Sequence, residues 1–209
     1  RHGGWRRRGG GGSLAPAVHR GVGRTSELVT RSRPVSSWIA LGGEKHLAQV
    51  LEARTPDDLQ IFFLRCDEFF DRPAVFGEKG KPYADNAARF IFFSKAAVEL
   101  ARRMTPTPEV LHAHAWPAAL VPVLVREQGL PFHPVLSVHH LAQQGSFPAS
   151  DFSLTNLPAG YFEPAGVEFF GQLNLLKGGI RFADRIVFPS EPYAHAVLTE
   201  PDGEGLEIV

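Results

Sequence analysis

Strand-like and helix-like segments alternate between residues 59 and 198, and this alternation constrains the fold more than any other feature. Short runs of branched and aromatic residues predict strands, whereas apolar residues at three- and four-residue spacing predict amphipathic helices. The alternation is typical of an α/β fold with a parallel sheet and helices on both faces. The predicted strands are 59–66, 109–114, 135–138 and 185–188, and the predicted helices are 85–104, 118–128, 167–182 and 192–198.

The remaining segments are less regular. The sequence predicts a strand at 36–41, a short helix at 45–52 and loops at 67–83 and 141–165. Pro122 is predicted to kink or shorten the helix that contains it, because proline disrupts a helix interior. The segment 141–165 contains three prolines and is long for a connection inside a compact domain. Loops of that length usually carry function.

Composition excludes several classes of protein. Lysine plus arginine and aspartate plus glutamate both number 22, so no charge excess favours nucleic acid or a membrane surface. One cysteine excludes an internal disulfide framework and fits a reducing compartment. No apolar run approaches the length of a membrane span. We therefore expect neither a nucleic-acid partner nor a membrane partner.

The first 34 residues differ from the rest in composition. They are rich in arginine and glycine, contain Glu27 as their one acid, and lack helix or strand periodicity. A nucleic-acid-binding tail is one interpretation, but only Trp5 offers a ring for stacking. We favour a degenerate or disordered segment at 1–34, followed by one domain at 35–209.

Histidines stand at the ends of two predicted strands. His112 and His114 close one strand, two residues before Trp116, and His139 and His140 follow the next. Residues two apart on a strand share a face, so His112 and His114 are expected on the same side. Since ligands of open α/β sheets bind beyond the carboxyl ends of the strands, the two strand ends are predicted to form one site.

Other chemistries have weaker support. The four histidines make a metal site conceivable, but no carboxylate or cysteine lies nearby at ligand spacing, so we expect no metal. Gly178 and Gly179 could suggest a phosphate loop, yet their place inside a predicted helix favours close packing. Neither a P-loop nor a serine-hydrolase elbow is present.

From about Phe69 to Val209 the sequence resembles bacterial glycogen synthases and plant starch synthases. The resemblance rests on short motifs that keep the order and spacing of that family. They are Phe70-Asp-Arg-Pro73, Asp85-Asn-Ala-Ala-Arg-Phe90, His112-Ala-His114 with Trp116, Val138-His139 with Leu141-Ala142 and Gln144-Gly145, Phe147-Pro-Ala-Ser-Asp151, Glu168-Phe169 with Gly171-Gln172, Leu176-Lys-Gly-Gly179, Ala183-Asp-Arg185 and Gly203-Glu-Gly-Leu-Glu207.

The resemblance implies a retaining glucosyltransferase that moves glucose from ADP-glucose to the non-reducing end of an α-1,4-glucan. It implies the GT-B architecture, in which two Rossmann-like domains flank a cleft, with this chain as the N-terminal half. The second domain of the family supplies most of the sugar-nucleotide site. A chain that lacks it is expected to bind glucan weakly and to turn over nothing. No cofactor is implied, the expected location is the cytoplasm of a bacterium or a plastid, and oligomeric state stays open.

The resemblance also implies roles for individual residues. His139 would lie near the donor glucose as the catalytic histidine, and His114 and Gln144 would contact substrate. Trp116 and Phe76 would offer flat apolar faces to glucose rings of the acceptor. Arg1 would occupy the position of the family's lysine that contacts the sugar nucleotide.

Several positions depart from the family pattern. Ala115 replaces an aspartate and Phe76 a tyrosine, while His140 and Gln143 replace asparagine and tyrosine. Each change removes or alters a polar group in the expected cleft. These departures favour an alternative, a non-catalytic glucan-binding or regulatory module derived from the family. A histidine-based metallohydrolase is a third possibility, which the four histidines alone support.

Overall fold

The computed structural model describes residues 12–16, 29–207 and 209, with side-chain environments from residue 36 onward. By their contacts the residues divide into two compact units. The first contains the described residues up to Trp38 together with His46–Tyr83. The second contains Ile39–Lys45 and Ala84–Val209.

A four-stranded sheet dominates the first unit. Its order is β1-β4-β3-β2, and β4 pairs parallel with β1 and antiparallel with β3. Alternate residues of β4, among them Phe62 and Leu64, are buried, as expected for a strand with one face on a core. The strands are β1 (Gly12–Pro16), β2 (Val29–Leu41), β3 (Glu44–Arg54) and β4 (Gln60–Arg65).

Two strand predictions are confirmed in this sheet and one helix prediction is wrong. The strands predicted at 36–41 and 59–66 correspond to β2 and β4. Residues 45–52 form part of β3, because hydrogen bonding to strands on both sides overrides a weak helical preference. The segment 59–66 was also expected in one sheet with 109–114, yet β4 belongs to this separate sheet.

Part of the region 1–34 is regular. Residues 12–16 form β1 and β2 begins at Val29, so strands are present where composition predicted none. Residues 1–11 and 17–28 lie outside the described residues, and with them Arg1 and most of the segment predicted to be disordered. The boundary between 34 and 35 stays a prediction.

The first unit ends in short elements where a loop was predicted. A single helical turn, α1 (Asp67–Phe70), follows β4 and buries Phe69 and Phe70. A small antiparallel hairpin then joins β5 (Gly77–Glu78) to β6 (Lys81–Pro82). Phe76 immediately precedes β5.

The second unit contains the predicted parallel sheet with helices. Its three strands have the order β12-β8-β7, and both pairs are parallel. This arrangement is consistent with a Rossmann-like fold. The strands are β7 (Val110–His114), β8 (His133–Ser137) and β12 (Arg185–Val187), and the helices that alternate with them are α2 (Asn86–Arg103), α3 (Leu120–Glu127), α5 (Leu175–Phe182) and α6 (Glu191–Ala196).

Helix ends differ in detail from the predictions. Asp85 is the N-cap residue of α2, but its side chain makes no capping hydrogen bond. The helix α3 is shorter than predicted, because Trp116–Ala118 form a separate 3₁₀ turn before it. Pro122 lies in the first turn of α3, where a missing backbone N–H leaves no intrahelical bond unmade.

The helix predicted at 167–182 is wrong over its first half. Residues 168–174 form a hairpin of β10 (Glu168–Phe169) and β11 (Gln172–Asn174), and β11 also pairs antiparallel with β9 (Ser146–Pro148). The chain reverses because Phe170 and Gly171 have positive φ angles, 47° and 76°, which a right-handed helix excludes.

The predicted loop 141–165 contains more short structure than expected. Besides β9 it holds the helical turn α4 (Phe152–Thr155) and two 3₁₀ turns, at Ala149–Asp151 and Ala159–Tyr161.

The core of the second unit lies where α2, α3 and α5 meet the parallel sheet. Phe90, Ile91, Leu120, Leu136 and Leu176 are all almost fully buried there. No helix in the described part of the chain combines the length and hydropathy that a membrane span requires.

Candidate functional site

The carboxyl ends of β7 and β8 meet at one edge of the parallel sheet. The strands are adjacent, and the pairing places His112 opposite Val135 and His114 opposite Ser137. His139 follows β8 by two residues, and Trp116 follows β7 by two. The predicted adjacency of the two strands is therefore confirmed, and whether His139 and Trp116 share one cleft stays a prediction.

Three imidazoles form a row at this edge. The ring centroids of His112 and His114 are 4.4 Å apart, and those of His114 and His139 are 5.7 Å apart with nearly parallel planes. His114 Nδ1 lies 3.4 Å from His139 Nε2, and His112 Nε2 lies 2.8 Å from Ser137 Oγ. The expectation that His112 and His114 share a face is confirmed.

The environment of two of the three imidazoles disfavours their charged form. Burial lowers the pKa of both His112 and His114, and the neighbouring imidazoles lower it further. A neutral imidazole donates from one nitrogen and accepts at the other. The contact between His114 Nδ1 and His139 Nε2 therefore suits one donated N–H and links the orientations of the two rings.

The histidine row does not form a recognisable metal centre. Within residues 12–16, 29–207 and 209, no group of three or more histidine, cysteine or acidic side chains is arranged to hold an ion. His112 is directed at a serine hydroxyl instead.

Trp116, two residues after the end of β7, is packed inside the protein. Its side chain is 8% exposed, and its ring makes edge contacts with Phe90 at 4.7 Å and Phe147 at 5.8 Å between centroids. Gly145 approaches so closely that a Cβ there would lie 2.4 Å from Trp116 Cε3. The indole contributes apolar packing against Phe90, Phe147 and Gly145. Stacking of a glucose ring on Trp116 stays a prediction.

Ala115 connects β7 to Trp116 in a strained conformation. Its φ is 54° and its ψ is −176°, a region that residues with a side chain rarely adopt. The backbone N–H of Ala115 donates to the carbonyl oxygen of Ser137 on β8 at 2.8 Å. This bond holds the turn between the two strand ends, so the strain is located at the candidate site.

Gln144 is bonded into the protein on both sides of its amide. Its Oε1 accepts from Asn174 Nδ2 at 2.6 Å, and its Nε2 donates to the carbonyl oxygen of Glu204 at 2.9 Å. These bonds occupy the amide oxygen and nitrogen that would form hydrogen bonds with a sugar hydroxyl. The predicted substrate contact of Gln144 stays a prediction.

The other two predicted residues are Phe76 and Arg1. Phe76 belongs to the first unit and is 43% exposed, so part of its ring is open to solvent. Arg1 lies outside the described residues. The histidine row therefore brings together two of the predicted residues, His114 and His139.

A separate groove of about 570 Å³ lies beside the β10–β11 hairpin. Phe169, Phe170, Lys177 and Arg181 line it, and none of the predicted site residues does. Lys177 is buried and donates its Nζ hydrogens to the carbonyl oxygens of Pro164 and Gly166. Burial lowers the pKa of Lys177, and these bonds occupy its ammonium group.

The glycine pair of α5 serves packing rather than phosphate binding. A Cβ on Gly178 would lie 2.8 Å from Val167 Cγ1, and one on Gly179 would lie 2.7 Å from the carbonyl oxygen of Ala119. Glycine therefore lets α5 approach α3 and the residues before β10. This close approach confirms the interpretation made from the sequence.

Sequence reasoning did not find Asn174 or the strain at Ala115. Asn174 is fully buried and joins the loop after His139 to α5, although it has no distinctive spacing to other polar residues. The signal available was an asparagine directly before a helix, a common N-cap, but a single long helix had been predicted over that position.

The fold and the histidine row define the class: an α/β protein with titratable side chains at the carboxyl ends of adjacent parallel strands. Comparison with known proteins identifies the family within this class. Residues 17–209 match the sequence model of the starch synthase catalytic domain. The chain belongs to the starch synthase catalytic domain family, as the sequence motifs predicted.

The most similar proteins include bacterial glycogen synthases. Glycogen synthase 2 of Geobacter sulfurreducens is 36% identical over 188 residues, which are 87% of this chain and 39% of that protein. Glycogen synthase of Opitutus terrae is 40% identical over 172 residues, 79% of this chain and 36% of that protein. The chain thus spans less than two-fifths of the length of these relatives.

A solved structure supports the same relationship. The catalytic domain of starch synthase IV from Arabidopsis thaliana, bound to ADP and acarbose, superposes with a TM-score of 0.74 at 25% identity. The match covers 87% of this chain and 38% of that one.

Proposed function

We propose that this chain is the N-terminal, Rossmann-like part of a GT-B glycogen synthase. The whole enzyme transfers glucose from ADP-glucose to the non-reducing end of an α-1,4-glucan. The observation that carries the proposal is the His114–His139 pair at the carboxyl ends of β7 and β8, in a chain of the starch synthase catalytic domain family. ADP-glucose and α-glucan are the proposed partners.

In this proposal His139 lies beside the donor glucose and holds it through a hydrogen bond. The contact with His114 orients the imidazole. An oriented imidazole suits a sugar hydroxyl, because its ring nitrogens can form hydrogen bonds with a hydroxyl group. The cationic groups that stabilise the departing nucleotide diphosphate come from the second domain of the family.

The test replaces His139 by alanine, with His195→Ala as the matched control. His195 is an exposed histidine on α6 whose ring contacts only Glu191, at 3.9 Å, among the described interactions. In a full-length glycogen synthase that carries the same His-Ala-His and Val-His motifs, His139→Ala should lower the rate of transfer to glycogen about 10²–10³-fold. His195→Ala should leave the rate unchanged. A His139→Ala enzyme that transfers glucose at the parental rate would exclude the assigned role.

A second candidate is a glucan-binding module without turnover. Ala115 and Phe76 favour it, because they stand where the family has aspartate and tyrosine. The two candidates differ in whether the sugar nucleotide binds. The module would bind maltoheptaose but not ADP-glucose, whereas the synthase part contributes to both binding sites. Titration calorimetry with each ligand separates them in a full-length relative that has alanine and phenylalanine at the positions of Ala115 and Phe76, because only there are both sites complete.

A further inference from the structure

Asn174 joins the loop that follows His139 to the start of α5. It is 0% exposed, and its side-chain amide makes three hydrogen bonds. Nδ2 donates to Gln144 Oε1 at 2.6 Å and to Ser146 Oγ at 3.1 Å, and Oδ1 accepts the backbone N–H of Lys177 at 2.9 Å. One buried amide therefore caps a helix and holds two residues of the loop.

Backbone hydrogen bonds reinforce the same junction. The N–H groups of Leu175 and Leu176 donate to the carbonyl oxygens of Gly145 and Gln144 at 3.1 and 3.0 Å. These are first-turn N–H groups, which have no partner inside their own helix. The loop thus supplies the acceptors that α5 needs, and α5 fixes the backbone of the loop.

The loop is anchored on both sides of the short segment after His139. On the strand side, the N–H of Val138 donates to Val187 of β12 at 2.9 Å and that of Leu141 to Tyr193 Oη at 3.1 Å. On the other side the anchor is Gln144, through Asn174. Only residues 142 and 143 separate Leu141 from this second anchor, so Leu141 and Gln144 together restrict the path of the chain after His139.

We propose that Asn174 is a positioning residue: through Gln144 and Ser146 it holds the loop that carries His139 in its working position. The consequence for transfer rests on the proposed function. Asparagine suits this position because it combines an N-cap acceptor with two N–H donors. Aspartate and serine keep an acceptor for the cap, but ionised aspartate donates nothing and serine is too short to span the same groups.

The first experiment measures amide hydrogen exchange of residues 141–146 in the 209-residue chain. Asn174→Asp keeps the acceptor for Lys177 and places a carboxylate oxygen against Gln144 Oε1. Protection of these amides relative to the parent chain should fall at least about tenfold near pH 8. It should recover on acidification to about pH 5, since a protonated carboxyl group donates one hydrogen bond. Asn174→Ala should lose protection at both pH values.

Thr155→Val is the matched control. Thr155 is almost equally buried. Among the described interactions its hydroxyl donates to the carbonyl oxygen of Phe152 in α4 and accepts the backbone N–H of Leu157, two residues after α4. This change removes a buried polar group that makes no described hydrogen bond to residues 141–146, so protection of those amides should stay at the parental level. If Asn174→Asp does not fold, Gln144→Ala tests the same link with the α5 cap intact, and it should lower protection in the same amides.

The second experiment measures transfer in the full-length relative used above. Replacing the residue that aligns with Asn174 by aspartate should lower kcat on the order of 10²-fold, as misplacement of reacting groups does, and should change KM for glucan little. Unaltered loop protection in both Asn174→Asp and Gln144→Ala would overturn the proposal, as would a loosened loop with parental kcat. If His139→Ala keeps full transfer while Asn174→Asp loosens the loop, the proposed function fails and the positioning of the loop stands.

Discussion

Single backbone positions shape the candidate site as much as its polar side chains do. Gly145 has a φ of 63°, and its Cα faces the indole of Trp116 with no space for a methyl group. Ala115, the residue before Trp116, has a strained conformation with a φ of 54°. The shape of this part of the candidate site therefore depends on how closely the backbone approaches Trp116.

Gly145→Ala should destabilise the protein for two separable reasons. Gly129 has a similar φ of 58° but open space around its Cα, so Gly129→Ala isolates the conformational cost of about 1–2 kcal/mol. Gly145→Ala should lower the free energy of unfolding by about 1–3 kcal/mol more, because the added methyl overlaps Trp116. Urea unfolding of both variants gives the difference. Equal losses would show that the contact with Trp116 imposes no constraint.

At the scale of elements, α5 links the sheet, the loop and the core. Its first-turn N–H groups donate to carbonyl oxygens of the loop and to Asn174 Oδ1, and its glycine pair lies against α3 and Val167. Glycine is a poor helix former, costing about 1 kcal/mol relative to alanine. The close approach of neighbouring atoms explains why two glycines occur together in this helix.

Gly178→Ala should be destabilising although alanine favours helix. The new Cβ would lie 2.8 Å from Val167 Cγ1, so overpacking of about 1–3 kcal/mol outweighs the gain in helix propensity. Val167→Ala removes that methyl group and creates space. In a double-mutant cycle the combined variant should lose less stability than the two single variants together, by about 1 kcal/mol or more. Strict additivity would mean that the two side chains do not compete for the same volume.

At the scale of the whole molecule, one half-buried lysine couples stability to pH. Lys95 Nζ donates to the carbonyl oxygens of Ala40 and Leu154 and to Asn156 Oδ1, at 2.6, 3.3 and 2.6 Å. The Asn156 amide also bonds the backbone of Gly42, so this network ties the turn after β2 into the second unit. Burial lowers the pKa of Lys95 from 10.5 to about 8, because no carboxylate among its hydrogen-bond partners offsets the loss of hydration.

The free energy of unfolding should therefore rise with pH between about 8 and 10.5 through Lys95. In that window the unfolded chain keeps the proton that the folded chain has lost, so added base favours the folded state. Below about pH 8 both states are protonated and the contribution is constant. Lys95→Met should remove this rise, which urea unfolding at a series of pH values would measure. Parallel curves for parent and variant would contradict it.

The sequence predicted the strands and helices of the second unit well where periodicity was strong. The helix at 85–104 and the strands at 109–114, 135–138 and 185–188 are all present within a few residues. Prediction failed at 45–52 and 167–174, because pairing with neighbouring strands decides those segments and a local window contains no information about the partner.

The candidate site was predictable in its residue types and not in its geometry. Ordered motifs identified the family, and the alternation of strands and helices placed His114 and His139 at one sheet edge. The burial of Trp116, the bonded state of Gln144 and the role of Asn174 depend on which atoms meet across distant parts of the chain.

The amino-acid order alone was sufficient for the family, the parallel strands and the edge where the histidines gather, because side-chain periodicity and motif spacing are local properties. Tertiary structure decided which strands share a sheet, which polar groups are already bonded and which rings are buried. The physical reason is that strand pairing, desolvation and hydrogen-bond satisfaction are properties of atoms brought together from positions as distant as Gln144 and Asn174.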